Sequence, residues 1–237
     1  MDRRQWLTVV GGAGVGAACC SARGDEHSQQ APGDAKSFMA PISGVHAHFC
    51  GIHVAKNNPK FQLMAQHYCA PLNDEMFQCL LYESVEKNAR LLGVEYIVSD
   101  RIYRQLSDEE KQYWHPHTYE VLAGGLIAPS MTPEDELKFM KTILTTWGKT
   151  WHTWPDPKQP IPLGAPLLMW SLGADEHVDA TVVAERDKMF GCSTPKIRES
   201  RVKAIGYAVP NVPFPKSMTE AGRQWTASGD DKPASGG

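Results

Sequence analysis

The stretch Val45-His-Ala-His-Phe-Cys-Gly-Ile-His-Val54 decides the predicted fold, because it begins a series of short segments with strand character. Three more such segments follow it directly along the chain, at Leu63–Ala70, Met76–Glu83 and Ala89–Ser99. Each is rich in apolar or aromatic residues and is bounded by Asn, Pro, Asp or Gly, as is typical of β-strands. The predicted domain therefore opens with a run of neighbouring strands.

Helix signals appear after this run of strands. The sequence Ser107-Asp-Glu-Glu110 is a capping box, which predicts a short helix that opens there and runs toward Trp114. A second helix is predicted to begin at Thr132-Pro133, with acidic residues in its first turn, and to end at Gly148. A third helix is predicted over about Asp179–Phe190, closed by Gly191.

Two further segments, Tyr119–Ala128 and Lys149–Trp154, have strand character. Consecutive strands with helices grouped later favour an α+β fold over a doubly wound sheet. We therefore predict a single α+β domain in which a mixed, mainly antiparallel sheet is flanked by helices. The residues expected in its core are Leu80, Leu91, Val94, Ile97, Leu137, Met140, Leu144 and Trp147.

Residues 1–20 have the features of an export signal. Arg3-Arg4, a spacer, Trp6 and Leu7 are typical of a twin-arginine signal, and a Gly-rich apolar run follows them. Because Ala17-Ala18 precede Cys19-Cys20, one of these cysteines is a candidate for lipidation, although the usual leucine of a lipobox is missing. The alternative is an ordinary first strand or helix with two chance arginines. The signal predicts an exported chain, periplasmic or anchored to the membrane through a lipidated N-terminal cysteine.

Composition divides the rest of the chain into three parts. Residues 21–40 are predicted to be a flexible linker, 41–208 the folded domain, and 209–237 a loosely ordered tail rich in Pro, Gly, Ser and Asp. With a formal net charge of −3 and no run of Lys or Arg, the chain is not expected to bind nucleic acid. After the first twenty residues, no segment is long and apolar enough to span a bilayer.

Histidines recur beside other potential metal ligands in the first predicted strand. On a regular strand His48 and Cys50 share one face, whereas His53 points to the other. Both histidines can therefore serve one site only if a bulge at Gly51 or the end of the strand intervenes. Without such a bulge His53 is the better candidate, since Cys50 is open to a disulfide with Cys69.

Other histidines suggest how further ligands arrive from separate segments. His67 stands two residues before Cys69, His115-Pro-His117 lies between a predicted helix and a strand, and His152 lies between two tryptophans. Histidines from several strands can converge on one metal ion. Imidazole, with optional thiolate, suits copper, zinc or iron. The predicted metal ligands are His48, His53, His67, His115 and His117.

Structural roles are the alternative for these residues. Strand histidines often lie in the core or on the surface without a ligand, and no spacing here is an established metal signature. Cys50, Cys69, Cys79 and Cys192 allow three disulfide connectivities, which the sequence does not separate. Glu95 is an acid within an apolar segment; burial could raise its pKa for acid–base chemistry, or it could pair with Arg90 or Arg101.

A series of ordered motifs resembles the oil-body-associated protein family. In order, these motifs are HFCGIH, HYC, QCLLYES, KNARLLGVEYIVS, DEEK, WHPHTYEV, GKTWHTW and IPLGAP, and the resemblance as a whole covers about His46 to Tyr207. The resemblance implies association with lipid droplets, as in the plant members, and no established active site. The chain departs from the family pattern at Gln66, where plant members tend to have histidine, and in its export signal. Family positions are occupied by His48, Cys50, His53, His67, Cys69, Cys79, His115, His117, Glu120 and His152.

Two functional hypotheses follow from these observations. The first is an exported metal-binding protein with a His-rich site, whether or not it is a metalloenzyme, whose reaction the sequence does not identify. The second is a non-catalytic lipid- or surface-associated protein in which the histidines are structural. A small molecule or a lipid is the expected partner, and the sequence does not indicate an oligomeric state.

Overall fold

The computed structural model describes residues 40–210, and these belong to one unit. The predicted signal (1–20), the linker (21–40) and the tail (209–237) lie outside the described residues, apart from Ala40, Val209 and Pro210. The strands are β1 Ala47–Ala55, β2 Asn58–Asn73, β3 Met76–Tyr82, β4 Leu91–Ser99, β5 His115–Pro116, β6 Thr146–His152 and β7 Leu167–Ser171. The helices are α1 Ala40–Ser43, α2 Asp100–Arg104, α3 Asp108–Lys111, α4 Thr118–Ala123, α5 Pro133–Ile143, α6 Ala180–Phe190 and α7 Thr194–Ile205, with a 3-10 turn at Asp175–His177.

The sheet closes on itself. Its strand order is β4-β3-β2-β1-β7-β6, and β4 also pairs with β6, so six strands form a ring. The short β5 adds to β6. Every pairing between the described strands is antiparallel, which makes the sheet simpler than the mixed one predicted. The single α+β domain is confirmed, and the closed ring, which leaves few unpaired edges, specifies it further.

Gly93 lies where β4 and β6 close the ring. It pairs with His152, and a Cβ at this position would overlap the backbone carbonyl oxygen of Trp151. Only glycine permits this close approach of two backbones. The closure therefore depends on a residue whose role is steric and which carries no chemical signal in the sequence.

Alternation along the strands decides which predicted core residues are buried. Ile97, Met140, Leu144 and Trp147 are buried as predicted. Leu80 and Val94 face each other across β3 and β4 and are only partly buried, because the alternate residues Cys79 and Leu81 point inward. Leu137 is also partly buried, and Leu91 is 43% exposed.

Three predicted helices are confirmed, and the caps predicted at Ser107 and Thr132 are both formed. Ser107, Thr132 and Asp179 each accept a hydrogen bond from a backbone N–H of the first turn. The second helix, α5, ends at Ile143 rather than at Gly148, because Thr146 to His152 pair with β4 as strand β6.

The predicted strand Tyr119–Ala128 is wrong. Residues 118–123 form α4, and Gly124 ends this helix in the left-handed conformation with φ of 80°. Beyond it, Ile127 alone forms an isolated antiparallel bridge, to Cys50. Because α4 is buried throughout and lacks a polar face, its sequence has no helical periodicity and resembles that of a buried strand.

Two buried arginines fix the end of α4. Arg201 donates to the carbonyl oxygens of Val121 and Leu126 at 2.8 and 2.7 Å. Arg186 donates to the carbonyl oxygens of Gly125 and Gly124 at 2.9 and 3.0 Å. These bonds tie down carbonyl groups in the last turn of the helix and in the turn that follows it.

Within residues 40–210, no helix has both the length and the apolar character needed to cross a membrane.

Candidate metal centre

Imidazole and carboxylate side chains from separate elements meet inside the closed sheet. The inward positions of β1, β2, β4 and β6 contribute four of them, and the segment at β5 contributes two. None of the six is more than 3% exposed. They are His53, His67, Glu95, His152, His115 and His117.

One carboxylate oxygen of Glu95 faces two histidines. Its Oε2 atom lies 2.8 Å from Nε2 of His67 and 3.7 Å from Nε2 of His53. The two imidazole nitrogens are 3.1 Å apart. These three residues form the first triad of potential metal ligands.

The other oxygen of Glu95 faces a second pair. Its Oε1 atom lies 3.2 Å from Nε2 of His117 and 3.5 Å from Nε2 of His115. Glu120 approaches the same histidine, with its Oε1 atom 3.9 Å from Nε2 of His117. Glu95, His115 and His117 form the second triad, which shares only Glu95 with the first.

Hydrogen bonds on the far side of the rings set the tautomers of two histidines. Nδ1 of His67 lies 3.0 Å from the carbonyl oxygen of Ala65, which can only accept, so Nδ1 carries the proton. Nδ1 of His117 lies 2.8 Å from Oγ1 of Thr146, whose hydroxyl donates to the Ile143 carbonyl and so accepts from the ring. In the neutral form of each ring, the Nε2 lone pair therefore points at Glu95.

His152 contacts the first triad through a hydrogen bond with His53. Its Nε2 lies 3.0 Å from Nδ1 of His53, so it can accept the Nδ1 proton of a His53 whose Nε2 binds a metal. Contacts of this kind orient metal-binding histidines in general. The Nδ1 atoms of His152 and His115 have no hydrogen-bond partner among residues 40–210.

Burial and hydrogen bonding set the charge of the site. Burial alone would raise the pKa of Glu95, but the interactions of its carboxylate with the surrounding His115, His117, His53 and His67 outweigh burial and hold this pKa well below its usual range. Burial lowers the pKa of His53 to about 4 and lowers those of His117 and His152. The carboxylate is therefore ionised and these imidazoles are neutral near pH 7, which are the forms that bind metals.

Glu120 is the exception within this interior. Burial, together with the negative charge of Glu95, raises its pKa well above the usual range. Its protonated form is therefore favoured more than that of an exposed glutamate, and a positive charge close to it would reverse this effect.

The donor set and its spacing fit a first-row transition metal. Imidazole and carboxylate are ligands of zinc, copper, iron and nickel. Ligands held about 2.1 Å from a tetrahedral ion lie about 3.4 Å from one another. The nitrogen–oxygen and nitrogen–nitrogen distances within the first triad run from 2.8 to 3.7 Å and bracket this value.

Four of the five histidines predicted from the sequence meet here, and His48 does not. It lies on the outer face of β1, with Nε2 3.0 Å from Oε1 of Gln66 and its ring stacked on Tyr68. The irregularity in β1 falls between Val54 and Ala55 rather than at Gly51, so His48 and His53 keep opposite faces.

Glu95 is buried, but neither the raised pKa nor the arginine partner that the sequence suggested for it is found. Its suggested partners Arg90 and Arg101 pair instead with Glu83 and Glu75 on the surface. Its pKa is lowered rather than raised, because histidines surround it. The sequence shows Glu95 only as an acidic residue in an apolar strand. The residues around its carboxylate are decided by the pairing of β4 with β6.

The cysteines take no part in the triads. Cys69 and Cys79, which face each other on β2 and β3, form a disulfide, so the suggested bond between Cys50 and Cys69 is wrong. Cys50 and Cys192 are free thiols. Burial raises the pKa of Cys50 to about 12, so its thiol stays protonated.

Gly148 makes room for the second triad. It pairs with Ile97 of β4 and with His115 of β5. A Cβ on this residue would overlap Oε1 of Glu95 and lie 2.7 Å from Nε2 of His115. Glycine is therefore required for Glu95 and His115 to occupy their positions.

Comparison with known proteins places these residues in a family without an assigned reaction. The chain matches the family described as "Protein of unknown function (DUF1264)" over residues 39–205. It is 36% identical to oil body-associated protein 1B of Arabidopsis thaliana over 169 residues, which cover 71% of this chain and 70% of the relative. It is also 36% identical to oil body-associated protein 1A of Zea mays over 179 residues, 75% of each chain. No solved structure matches.

Proposed function

The chain belongs to the family described as DUF1264, with the plant oil body-associated proteins as its relatives, and we propose that it binds a transition metal inside its closed sheet. The proposed ligands are His53, His67, Glu95, His115 and His117. Zinc, copper and iron all suit this donor set. If the bound metal is catalytic, the protein is a metalloenzyme; we assign no reaction to it.

One observation carries the proposal. The fixed tautomers of His67 and His117 point lone pairs at the carboxylate of Glu95 from 2.8 and 3.2 Å. Two acceptors at hydrogen-bond distance repel each other unless a positive charge lies between them. A metal ion supplies that charge, and so does a proton on each ring.

Burial favours the metal over the proton as the source of this charge. A protonated imidazole in a water-free interior is costly, and burial lowers the pKa of His117 for that reason. A metal binds the neutral ring and the ionised carboxylate, which are the forms favoured here.

Metal content of purified variants tests the proposal. The chain is unfolded in the presence of a chelator, reloaded by refolding with Zn²⁺, Cu²⁺ or Fe²⁺, and measured by elemental analysis and by thermal unfolding. His53→Ala is expected to lower metal content, whereas His48→Ala, a matched change on the outer face of the same strand, is expected to leave it unchanged. No bound metal in the reloaded parent chain, or equal content in both variants, would overturn the proposal.

We also propose export through the twin-arginine route, supported by Arg3-Arg4 and the apolar run that follows them. Arg3→Lys with Arg4→Lys is expected to retain the chain in the cytoplasm, and Arg23→Lys is the control outside the motif. Unchanged secretion of the double variant would refute export by the twin-arginine route. The mass of the mature N-terminus then reports whether Cys19 or Cys20 carries lipid.

Association with a lipid surface is a second candidate function, favoured by an exposed outer face of the sheet. Leu91 and Tyr96 on β4 are 43% and 44% exposed, and Ile42, which lines the same surface pocket as Tyr96, is 53% exposed. The relatives are named oil body-associated proteins. Leu91→Asp with Tyr96→Asp is expected to reduce flotation with phospholipid-coated triacylglycerol droplets, whereas Met189→Asp, elsewhere on the surface, is not. Equal flotation of both variants would argue against lipid binding by this face of the sheet.

A further inference from the structure

We propose that the centre holds two metal ions bridged by the carboxylate of Glu95. This inference rests on the proposed metal-binding function and extends it, because a bridged pair is a different kind of site from a single ion. It assigns His53 and His67 to one ion and His115 and His117 to the other.

The carboxylate presents a separate oxygen to each pair of histidines. His67 and His53 approach Oε2, at 2.8 and 3.7 Å. His117 and His115 approach Oε1, at 3.2 and 3.5 Å. This division of oxygens is the arrangement that a bridging carboxylate requires.

In two places, a histidine Nε2 lone pair faces a carboxylate oxygen of Glu95. Nδ1 of His67 donates to the Ala65 carbonyl, and Nδ1 of His117 donates to Thr146. Each ring therefore directs Nε2 at a different oxygen of the same carboxylate. One cation beside Oε2 would satisfy His67 but leave His117 facing an acceptor, so each oxygen needs its own positive charge.

The geometry within each triad fits one ion, whereas the two triads do not merge. Ligands opposite each other on a single octahedral ion are about 4.2 Å apart. Within each triad the donor atoms lie within 4.8 Å of one another, and among residues 40–210 these donors group as two triads that share Glu95. Carboxylate-bridged ions in two-metal sites are about 3.5–4 Å apart.

The surroundings give the two ions different ligand sets. Glu120, 3.9 Å from Nε2 of His117, is a further carboxylate for the second ion. His152 supports the first ion through His53 without facing Glu95. Gly51 lies between the two sides, since a Cβ there would be 3.3 Å from Cε1 of His67 and 3.7 Å from Oε2 of Glu120. The second ion thus has the harder, oxygen-richer set, which suits iron or manganese better than copper.

Counting metal ions per chain tests this inference. The full chain is reloaded with Zn²⁺ and measured by native mass spectrometry. The parent and His48→Ala are expected to bind two ions, and His53→Ala and His115→Ala are each expected to bind one. Circular dichroism of each variant identifies any that has not folded.

A spectroscopic measurement on the unmodified chain does not depend on the folding of variants. Two Cu²⁺ ions about 3.5–4 Å apart couple magnetically, so the loaded parent is expected to show a half-field electron paramagnetic resonance signal. Two bound ions without coupling would overturn the bridge. One ion per chain, lost in either variant, would overturn the second ion and leave the proposed function standing. No bound ion would overturn both.

Discussion

Replacing Gly148 with alanine tests the steric basis of the metal centre with one methyl group. Gly148 has no left-handed backbone angle, so alanine introduces no backbone strain. Its Cβ, however, would overlap Oε1 of Glu95 and lie 2.7 Å from Nε2 of His115, where ordinary contact begins at about 3.4 Å. Pairing with β4 on one side and β5 on the other prevents the backbone from moving away.

The expected cost follows from this overlap. Inserting one methyl into a packed interior destabilises a protein by about 1–3 kcal/mol. For a domain of this size, that corresponds to a fall in the unfolding temperature of about 2–12 °C. Displacement of Glu95 and His115 should also weaken metal binding by about tenfold or more, as changes to supporting residues of metal sites commonly do.

Thermal unfolding of the metal-free chain measures the first effect, and the metal content after refolding at a series of metal concentrations measures the second. Gly44→Ala is the matched control, because its Cβ would meet its nearest neighbours, Ala40 and Pro41, at 3.7 Å. That change should be neutral or should stabilise by up to about 1 kcal/mol, since alanine restricts the unfolded chain. If Gly148→Ala matched this control in both stability and metal affinity, Glu95 and His115 would not lie beside Gly148.

Two further predictions concern the surroundings of the centre. The metal-free chain should lose stability as the pH falls from about 6.5 to 4. In this range His53 takes up a proton in the unfolded chain but not in the folded chain, where its pKa is about 4. Glu95, whose pKa is depressed in the folded chain, adds to the loss below about pH 4.5. Urea unfolding across this range measures it, and constant stability would contradict the buried neutral histidine. Arg201→Met should cost about 3 kcal/mol, because it leaves the carbonyls of Val121 and Leu126 without their donor, whereas Arg198→Met on the surface should cost less than about 1 kcal/mol. Equal costs would show that Arg201 does not fix the end of α4.

Local signals in the sequence located most elements correctly. Short apolar segments bounded by turn residues predicted β1, β3 and β4 to within two residues, and Ser107 and Thr132 marked helix starts. These signals succeed because caps and alternation act over a few residues. The buried helix α4 failed for the same reason, since a helix with no polar face has no helical period to read.

The composition of the centre was only partly predictable. Alternation correctly separates His53 from His48, and it requires no knowledge of the partner strands. The position of Glu95 depends instead on the pairing of Gly93 with His152, residues far apart in the chain. No local pattern specifies such a pairing, so an acid in an apolar strand could not be connected to its histidines.

Enclosure of the centre also has a kinetic consequence. All six side chains are at most 3% exposed, so an ion beside Glu95 can enter or leave only when neighbouring strands separate. Such openings of a sheet core are rare events, with free energies that approach that of global unfolding. Exchange would therefore be slow compared with the lifetime of most metal–protein contacts. If the chain binds a metal as proposed, the bound ion would be the one available where the strands first closed, and later changes in the surrounding metal supply would leave it in place.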